Sequence, residues 1–283
     1  MLSRFGLRWK EVRCRAVFAV SVALMSAGAH ADTWLAPVST IAGPQIARGV
    51  VVYSHGRSLT GEDYESPSPA YLKEMAKAGW DVLRFNRPAD EDTLPASSQD
   101  LTARAKALKA QGYRRVILTG QSFGAFLSIM AAEQTDAVTG VIATAPAAFG
   151  NKQDSQDTWQ MNASELYKEL SNLRNARVLL AFFQGDLYDP GGRGVQSASL
   201  LSKAGNSGVV IDAPRGLVGH LAAASPQFAK RYGDCLNQFA DATLGDGHAC
   251  AGGTIVAPSE PSLTQTAEAA TTLPASAGES SNK

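Results

Sequence analysis

The chain has 283 residues; its 26 Lys and Arg residues balance 26 Asp and Glu residues, and 45% of the residues are hydrophobic. This length suffices for one sizeable core and fits one folded domain better than two. The balanced charge leaves no basic surface of the kind that binds nucleic acid, so we expect no nucleic-acid partner.

Residues 1–31 have the pattern of a secretory signal peptide. Five basic residues precede the apolar run AVFAVSVALMSAGA at 16–29, and AHA at 29–31 matches a signal-peptidase site. The run is shorter than the about 20 residues of a membrane-spanning helix, so we expect no stable insertion of the mature chain; an uncleaved anchor is the alternative. Cleavage predicts a periplasmic or secreted protein. It removes five basic residues and one acid, leaving 21 against 25, a net charge of −4.

Six short runs rich in Val, Ile, Leu and Phe divide the next part of the chain, and helical patterns such as those at 69–79 and 98–112 lie between them. Most runs are continuous rather than alternating, which is typical of strands covered on both faces. The alternation predicts an α/β fold with a mostly parallel, doubly wound sheet and helices on both faces. The runs are GVVVYS at 49–54, WDVLRFN at 80–86, RVILTG at 115–120, GVIATAP at 140–146, RVLLAFF at 177–183 and GVVIDAP at 208–214.

Two segments depart from this alternation. Residues 151–175 are polar with scattered large side chains, and they either cover part of a site or form a plain surface helix, which we favour. Residues 251–283 are rich in Ala, Ser, Thr and Pro without an apolar period, so they cannot bury enough surface to offset chain entropy. We therefore predict a folded domain at 32–250 and a disordered tail at 251–283.

Two of the three cysteines, Cys235 and Cys250, remain after cleavage of the predicted signal peptide. An even count in an exported chain predicts a disulfide, here one that holds the last helix. The chain has no CxxC motif and no His/Cys cluster with zinc-ligand spacing, and His248 near Cys250 is more typical of a bystander than of a ligand. We expect neither a metal nor another cofactor.

The third strand continues into the segment GQSFG, which has Gly120 and Gly124 two residues on either side of Ser122. A serine hydroxyl needs to stand clear of its own backbone to be a nucleophile, and a sharp strand-to-helix turn achieves this. Side chains at the two flanking positions would clash in such a turn, which explains both glycines. The pattern alone is weak evidence, but its position between a strand and a helix is the context that this motif requires.

A serine nucleophile needs a general base, and the four histidines differ in position. His30 belongs to the predicted signal peptide, His248 lies beside the predicted tail, and His55 directly follows the first strand. His220 lies in the loop after the last strand, and loops after parallel strands converge at one edge of a sheet. We therefore predict His220 as the base.

The histidine in turn requires a carboxylate that holds its tautomer. The loop QGDLYDPGGRG at 184–194 offers Asp186 and Asp189. Asp186 directly follows the strand, whereas Asp189 precedes a Pro-Gly-Gly turn that it could cap. Asp186 is favoured and Asp189 stays open. The order Ser122, Asp186, His220 is the nucleophile–acid–base order of one superfamily.

Together, SHGRS at 54–58, GQSFG, the aspartate loop and the Gly-His pair at 219–220 resemble the α/β-hydrolase superfamily. The resemblance is to compact serine esterases related to dienelactone hydrolases, and it covers roughly residues 49–240. It implies an oxyanion hole made by the backbone N–H groups of Arg57 and Phe123, and a structural role for His55 in ordering the loop.

The chain also departs from that pattern. Dienelactone hydrolases use a cysteine nucleophile, so Ser122 argues against their substrate. Residues 32–48 leave little room for N-terminal antiparallel strands, and no large cap is encoded.

These features favour an exported serine hydrolase that cleaves a carboxylic ester or a related small acyl compound through an acyl-enzyme. A peptidase or amidase with the same residues is an open alternative, as is a non-catalytic binding module on the same fold. Arg57, Arg87 and Arg193 near strand ends could attract an anionic acyl group, but pairing with nearby acids such as Asp90, Glu91 or Asp189 is the commoner role of such arginines.

Overall fold

The computed structural model describes residues 35–57, 65–87, 92–150, 155–174, 176–189, 192–244 and 250–259. The predicted signal peptide, most of the predicted tail and the residues Asp90, Glu91 and His248 lie outside the described residues.

Within the described ranges, eight strands form one sheet, and the six apolar runs of the sequence are its six central strands. The strands are β1 Leu35–Pro37, β2 Val50–Ser54, β3 Asp81–Phe85, β4 Val116–Gln121, β5 Gly140–Thr144, β6 Arg177–Phe182, β7 Gly208–Asp212 and β8 Gly253–Val256. Their order is β1-β3-β2-β4-β5-β6-β7-β8. Neighbouring central strands are parallel, and β1 and β8 pair antiparallel at the two edges. The predicted α/β architecture is confirmed, and the described residues before β2 contain one short strand, β1.

In the part of the chain that the structure describes, six α-helices connect the strands. They are α1 Ala70–Lys77, α2 Leu94–Ala110, α3 Phe123–Glu133, α4 Ser155–Asn172, α5 Arg193–Lys203 and α6 Pro226–Asp241. The hydroxyls of Thr93 and Ser225 accept hydrogen bonds from the first turns of α2 and α6, and each helix has a proline near its start. Such caps satisfy N–H groups that the helix itself leaves free, so these boundaries are encoded locally.

The sheet separates two apolar layers, as the continuous apolar strands predict. Along β4, Leu118 packs in the layer that contains Phe126 of α3, whereas its neighbour Ile117 packs in the layer that contains Tyr71 of α1 and Phe228 of α6. Successive strand side chains point to opposite faces, so both must be apolar when helices cover both faces. Among the described residues, no helix combines the length and apolar composition that crossing a membrane requires.

The polar segment after β5 contains α4, a helix with a buried apolar stripe that includes Leu166 and Leu170. Its most informative polar residue is the fully buried Asn162, whose Oδ1 accepts hydrogen bonds from the N–H groups of Ala148 and Phe149 at 2.7 and 2.9 Å. Asn162 thus ties α4 to the loop that follows β5. The helix is more than a surface element because it holds a loop at the carboxyl edge of the sheet.

The end of the domain differs from the prediction. The predicted disulfide between Cys235 of α6 and Cys250 is present, and both cysteines are buried. Beyond it, β8 at Gly253–Val256 pairs with β7, so the predicted tail boundary at residue 251 is wrong for these residues. A four-residue edge strand is too short to show a periodic pattern in the sequence. The disulfide holds Cys250, shortly before β8, against α6, and this lowers the entropy cost of pairing β8 with β7.

Candidate active site

Ser122 lies at a sharp turn between β4 and α3. Its backbone has φ 57° and ψ −121°, a conformation that residues other than glycine rarely adopt, and its N–H donates to Thr144 O of β5. Such strain persists only where the surroundings enforce it, and it occurs mostly at functional positions. The turn raises the serine above the carboxyl edge of the sheet.

The two glycines flanking Ser122 are required by space. A Cβ on Gly120 would overlap the backbone of Gly124 and Ala125, and a Cβ on Gly124 would overlap the carbonyl oxygens of Ser54 and His55 at the end of β2. Both contacts are with backbone, which cannot rotate away as a flexible side chain can. The steric reason inferred from the sequence is therefore confirmed.

His220 approaches Ser122 from the loop after β7. Near the end of this loop, Val218 forms a bridge with Gln184, and the N–H of Gly219 donates to Gln184 O at 2.9 Å. The side chain of Gln121, next to the serine, donates to His220 O at 3.1 Å. Contacts from β4 and from the loop after β6 thus fix the histidine backbone.

The three predicted side chains form a continuous hydrogen-bonded chain. Nε2 of His220 lies 2.8 Å from Oγ of Ser122, and Nδ1 lies 2.9 Å from both carboxylate oxygens of Asp186. Because a carboxylate only accepts, Nδ1 carries the proton, and Nε2 is left to accept a hydrogen bond from the serine hydroxyl. The ring of Tyr188 packs against the imidazole with 4.5 Å between ring centroids, which restricts its tilt.

Asp186, rather than Asp189, contacts His220. The Asp186 side chain is 1% exposed, and the N–H of Tyr188 donates to its Oδ1 at 2.9 Å, so the carboxylate has a fixed orientation. Asp189 instead forms a buried ion pair with Arg193 at 2.7 Å. The structure brings Ser122, His220 and Asp186 together and assigns Asp189 to a structural contact.

The loop after β2 lies beside this chain of residues. Gly124 packs directly on the carbonyls of Ser54 and His55, and the guanidinium of Arg57 lies 5.2 Å from the centre of the Phe123 ring. Phe123 is the first residue of α3, where backbone N–H groups have no partner within the helix. The two backbone donors that the resemblance implies therefore belong to adjoining segments.

His55 is buried and bonded on both sides of its ring. Nδ1 lies 2.6 Å from Gly56 O, and Nε2 accepts the N–H of Arg87 at 3.2 Å, so the ring is the neutral tautomer with the proton on Nδ1. Burial, reinforced by the neighbouring Arg87 charge, lowers the pKa of His55 to about 3. His55 is thus a neutral ring that connects the loop to the segment after β3.

Two of the three arginines considered as anion sites are buried in ion pairs. Arg193 pairs with Asp189, and Arg87 pairs with Asp92 at 2.9 Å, with both members of each pair at most 3% exposed. The pairing interpretation holds for these two, with Asp92 as a partner that the sequence reasoning missed. Arg57 is exposed, and its role stays a prediction.

Sequence reasoning also missed Tyr188 and Asn162. Tyr188 stood between the two aspartates without a motif of its own, and Asn162 was one of many polar residues in a helix. Ala147, just before the loop residues that Asn162 holds, has its carbonyl oxygen 3.4 Å from Ser122 Oγ. Among the described residues, no group of three or more His, Cys, Asp or Glu residues could hold a metal ion.

A strained serine after a parallel strand, with a histidine and an aspartate from the loops after two later strands, defines the class of α/β hydrolases. The model of the alpha/beta hydrolase family matches residues 51–270, more than half of the chain, and the chain belongs to this family. No curated protein matches the chain significantly.

Several solved structures have a similar fold. A predicted CIB-like hydrolase from Thermoplasma acidophilum is 20% identical, with a TM-score of 0.50 over 72% of this chain and 91% of the other. A monoacylglycerol lipase from Paleococcus ferrophilus is 16% identical, with a TM-score of 0.54 over 74% and 98%. An esterase from Pyrococcus furiosus is 16% identical, with a TM-score of 0.52 over 69% and 84%. At these identities the similarity extends to the fold.

Proposed function

We propose that this hydrolase cleaves a carboxylic ester or a related small acyl compound through a covalent acyl-enzyme. The observation that carries the proposal is the hydrogen-bonded chain from Ser122 through His220 to Asp186, with distances of 2.8 and 2.9 Å. An isolated serine hydroxyl is a poor nucleophile, and an adjacent oriented imidazole is the group that activates it.

Each residue of the chain has a distinct role in this proposal. Ser122 attacks the acyl carbon, and His220 takes its proton at Nε2 and then donates it to the leaving alkoxide. Asp186 keeps the Nδ1 proton in place and stabilises the imidazolium that forms. A water molecule then repeats the sequence on the acyl-enzyme, with His220 again as base, and releases the acid and the free serine.

The negative charge on the tetrahedral intermediate needs donors that are already in place. We assign this role to the backbone N–H groups of Arg57 and Phe123, because Phe123 begins α3 and the Arg57 loop packs against it. Each such donor typically contributes about 3 kcal/mol to stabilisation of the transition state.

Substitution of the nucleophile tests the proposal. Ser122→Ala should lower ester turnover by about 10⁶-fold and abolish covalent labelling by a fluorophosphonate. Ser128→Ala is a matched control, since Ser128 is a buried serine of α3, the helix that follows Ser122, and its hydroxyl donates to Gly124 O at 2.8 Å; it should keep both properties. Turnover or labelling that survives in Ser122→Ala would refute the assignment.

The acyl and leaving groups are tested with matched substrates. We expect a panel of short, long and carboxylated esters to be hydrolysed faster than amides of the same acyl groups, since an alkoxide is the better leaving group. Faster cleavage of the amides would support the peptidase or amidase alternative. An intact protein with no turnover and no fluorophosphonate labelling would support the binding module.

We also propose export of the chain, with a mature form that begins near Asp32 and lies in the periplasm or outside the cell. The charge and apolar pattern of residues 1–31 supports this, and the Cys235–Cys250 disulfide is compatible with an oxidising compartment. Mass spectrometry of the protein purified from its native host would give the mature N-terminus. A full-length chain that still starts at Met1 would contradict the proposal.

A further inference from the structure

A buried arginine, Arg87, forms hydrogen bonds with the loop that contains the Arg57 N–H group. Nη2 of Arg87 donates to His55 O at 2.7 Å and to Gly56 O at 3.2 Å, and the backbone N–H of Arg87 donates to the His55 ring. The Arg87 side chain is 1% exposed. This buried guanidinium thus forms hydrogen bonds with two successive carbonyl groups of one loop.

The contact with Gly56 O bears directly on the proposed oxyanion donor. Gly56 O and the N–H of Arg57 belong to the same peptide group, which is planar and trans, so the two point in opposite directions. Gly56 O interacts on one side with both Arg87 Nη2 and Nδ1–H of His55, at 3.2 and 2.6 Å. Holding that oxygen therefore fixes the direction of the Arg57 N–H on the other side.

The guanidinium is itself anchored. Its Nε donates to Asp92 Oδ1 at 2.9 Å, and Ser97 of α2 donates to the same oxygen at 2.7 Å. The guanidinium also lies 5.6 Å from the centre of the Phe123 ring, so it contacts the residue that supplies the second proposed donor. A planar fork that serves an acid on one side and two carbonyls on the other requires arginine rather than lysine.

We infer that Arg87, anchored by Asp92, is a positioning residue that orients the Gly56–Arg57 peptide group so that its N–H faces the oxyanion. The inference rests on the proposed function and deepens it. In this role Arg87 does not touch the reacting atoms; it acts on them through its hydrogen bond with the Gly56 carbonyl. Its effect should appear in the transition state, where the oxyanion exists, and hardly in binding of the uncharged ester.

The test compares Arg87→Lys and Arg87→Met with the wild-type enzyme, and counts active sites by complete fluorophosphonate labelling. We expect kcat per labelled site to fall by about 10- to 100-fold while KM changes less than about threefold, since loss of one oxyanion donor costs about 100-fold or more. Affinity for a trifluoromethyl ketone, which forms an oxyanion adduct with the serine, should fall by the same factor as kcat/KM.

Normalising to labelled sites separates positioning from folding, because a variant that only unfolds more has fewer sites with normal kcat. Arg104→Met is the matched control. The guanidinium groups of Arg104 and Arg87 lie at similar distances from the centre of the Phe85 ring, 5.5 and 5.8 Å, but Arg104 pairs with Asp100 of α2. We expect normal kcat per site in this control.

Three outcomes overturn the inference. Normal kcat per site in both Arg87 variants, beside an inactive Ser122→Ala, overturns the positioning role alone. An equal loss in Arg104→Met also overturns it, because that loss would not be specific to the loop. Full activity in Ser122→Ala overturns the proposed function and, with it, the oxyanion hole that Arg87 serves.

Discussion

Oγ of Ser122 and Nε2 of His220 lie 2.8 Å apart, although 98 residues separate them in the chain. The two residues meet because both follow parallel strands, and parallel strands end at the same edge of the sheet. Gln121, the neighbour of the serine, also binds the backbone carbonyl of His220. The end of β4 and the turn after it thus contact both the backbone and the side chain of His220.

The two aspartates of the loop after β6 should respond differently to the same substitution. Asp186→Asn should lower kcat by about 10⁴-fold with the fold intact, because an amide can favour the wrong tautomer of His220. Asp189→Asn should destabilise the protein by about 3–5 kcal/mol, because it removes the ion-pair partner of the buried Arg193. Kinetics per labelled site and thermal unfolding of both variants separate the effects. The reverse pattern would make Asp189 the acid of the active site.

Alanine at the glycines beside the nucleophile should damage the elbow. Gly124→Ala places a methyl group against the carbonyl oxygens of Ser54 and His55, so the backbone must shift, at a cost of about 1–3 kcal/mol or more and with loss of turnover. The comparison is Gly233→Ala in α6, where the new Cβ meets only Glu74 carbons at 3.6 Å or more. That control should be stabilised by about 0.5–1 kcal/mol, as is usual for Gly-to-Ala in a helix. Equal unfolding temperatures for the two variants would contradict the steric argument.

Reduction of the disulfide should loosen the end of the domain. Cys235 and Cys250 are 15 residues apart, and closing a loop of that size stabilises a fold by about 3 kcal/mol. Thermal unfolding should therefore occur at a lower temperature in the presence of a reductant. The double variant Cys235→Ala/Cys250→Ala should show the lower temperature with or without reductant. An unchanged unfolding temperature, with both thiols titrated as free, would show that the cross-link does not contribute.

Stability should also depend on pH through Glu169 of α4. Burial, reinforced by the nearby Glu133 carboxylate, raises the pKa of Glu169 from 4.5 to about 7. An acid whose pKa is raised in the folded state keeps its proton up to a higher pH there than in the unfolded chain. Its contribution to the free energy of unfolding therefore falls as the pH rises from 4.5 to about 7.

Glu169→Gln should remove this dependence. The variant should gain about 1 kcal/mol over the wild type above pH 7, with little difference near pH 4; the gain is modest because Lys168 lies 3.4 Å from the carboxylate and Glu133 is exposed to solvent. Chemical denaturation at several pH values measures it. A wild-type advantage at high pH would show that the carboxylate is stabilising when charged.

Most of the architecture could be predicted from local sequence patterns. The six central strands were predictable because a strand covered on both faces must be apolar at consecutive positions. The elbow was predictable because the GQSFG pattern and its place between a strand and a helix are local, although the clash that excludes a side chain at Gly124 is with the carbonyls of Ser54 and His55. The edge strand β8 was missed because four residues show no period, and its pairing depends on a neighbouring strand and on the disulfide.

The sequence by itself determined the class of fold, the serine at the elbow and the short set of residues from which an acid and a base could come. Only the tertiary structure decided between Asp186 and Asp189, and only it showed that Arg87 binds the loop beside the nucleophile. The physical reason is range. Strand periodicity and turn patterns extend over near neighbours, whereas the Asp186–His220 and Arg87–Gly56 hydrogen bonds join residues 34 and 31 positions apart, whose meeting depends on the packing of the whole sheet.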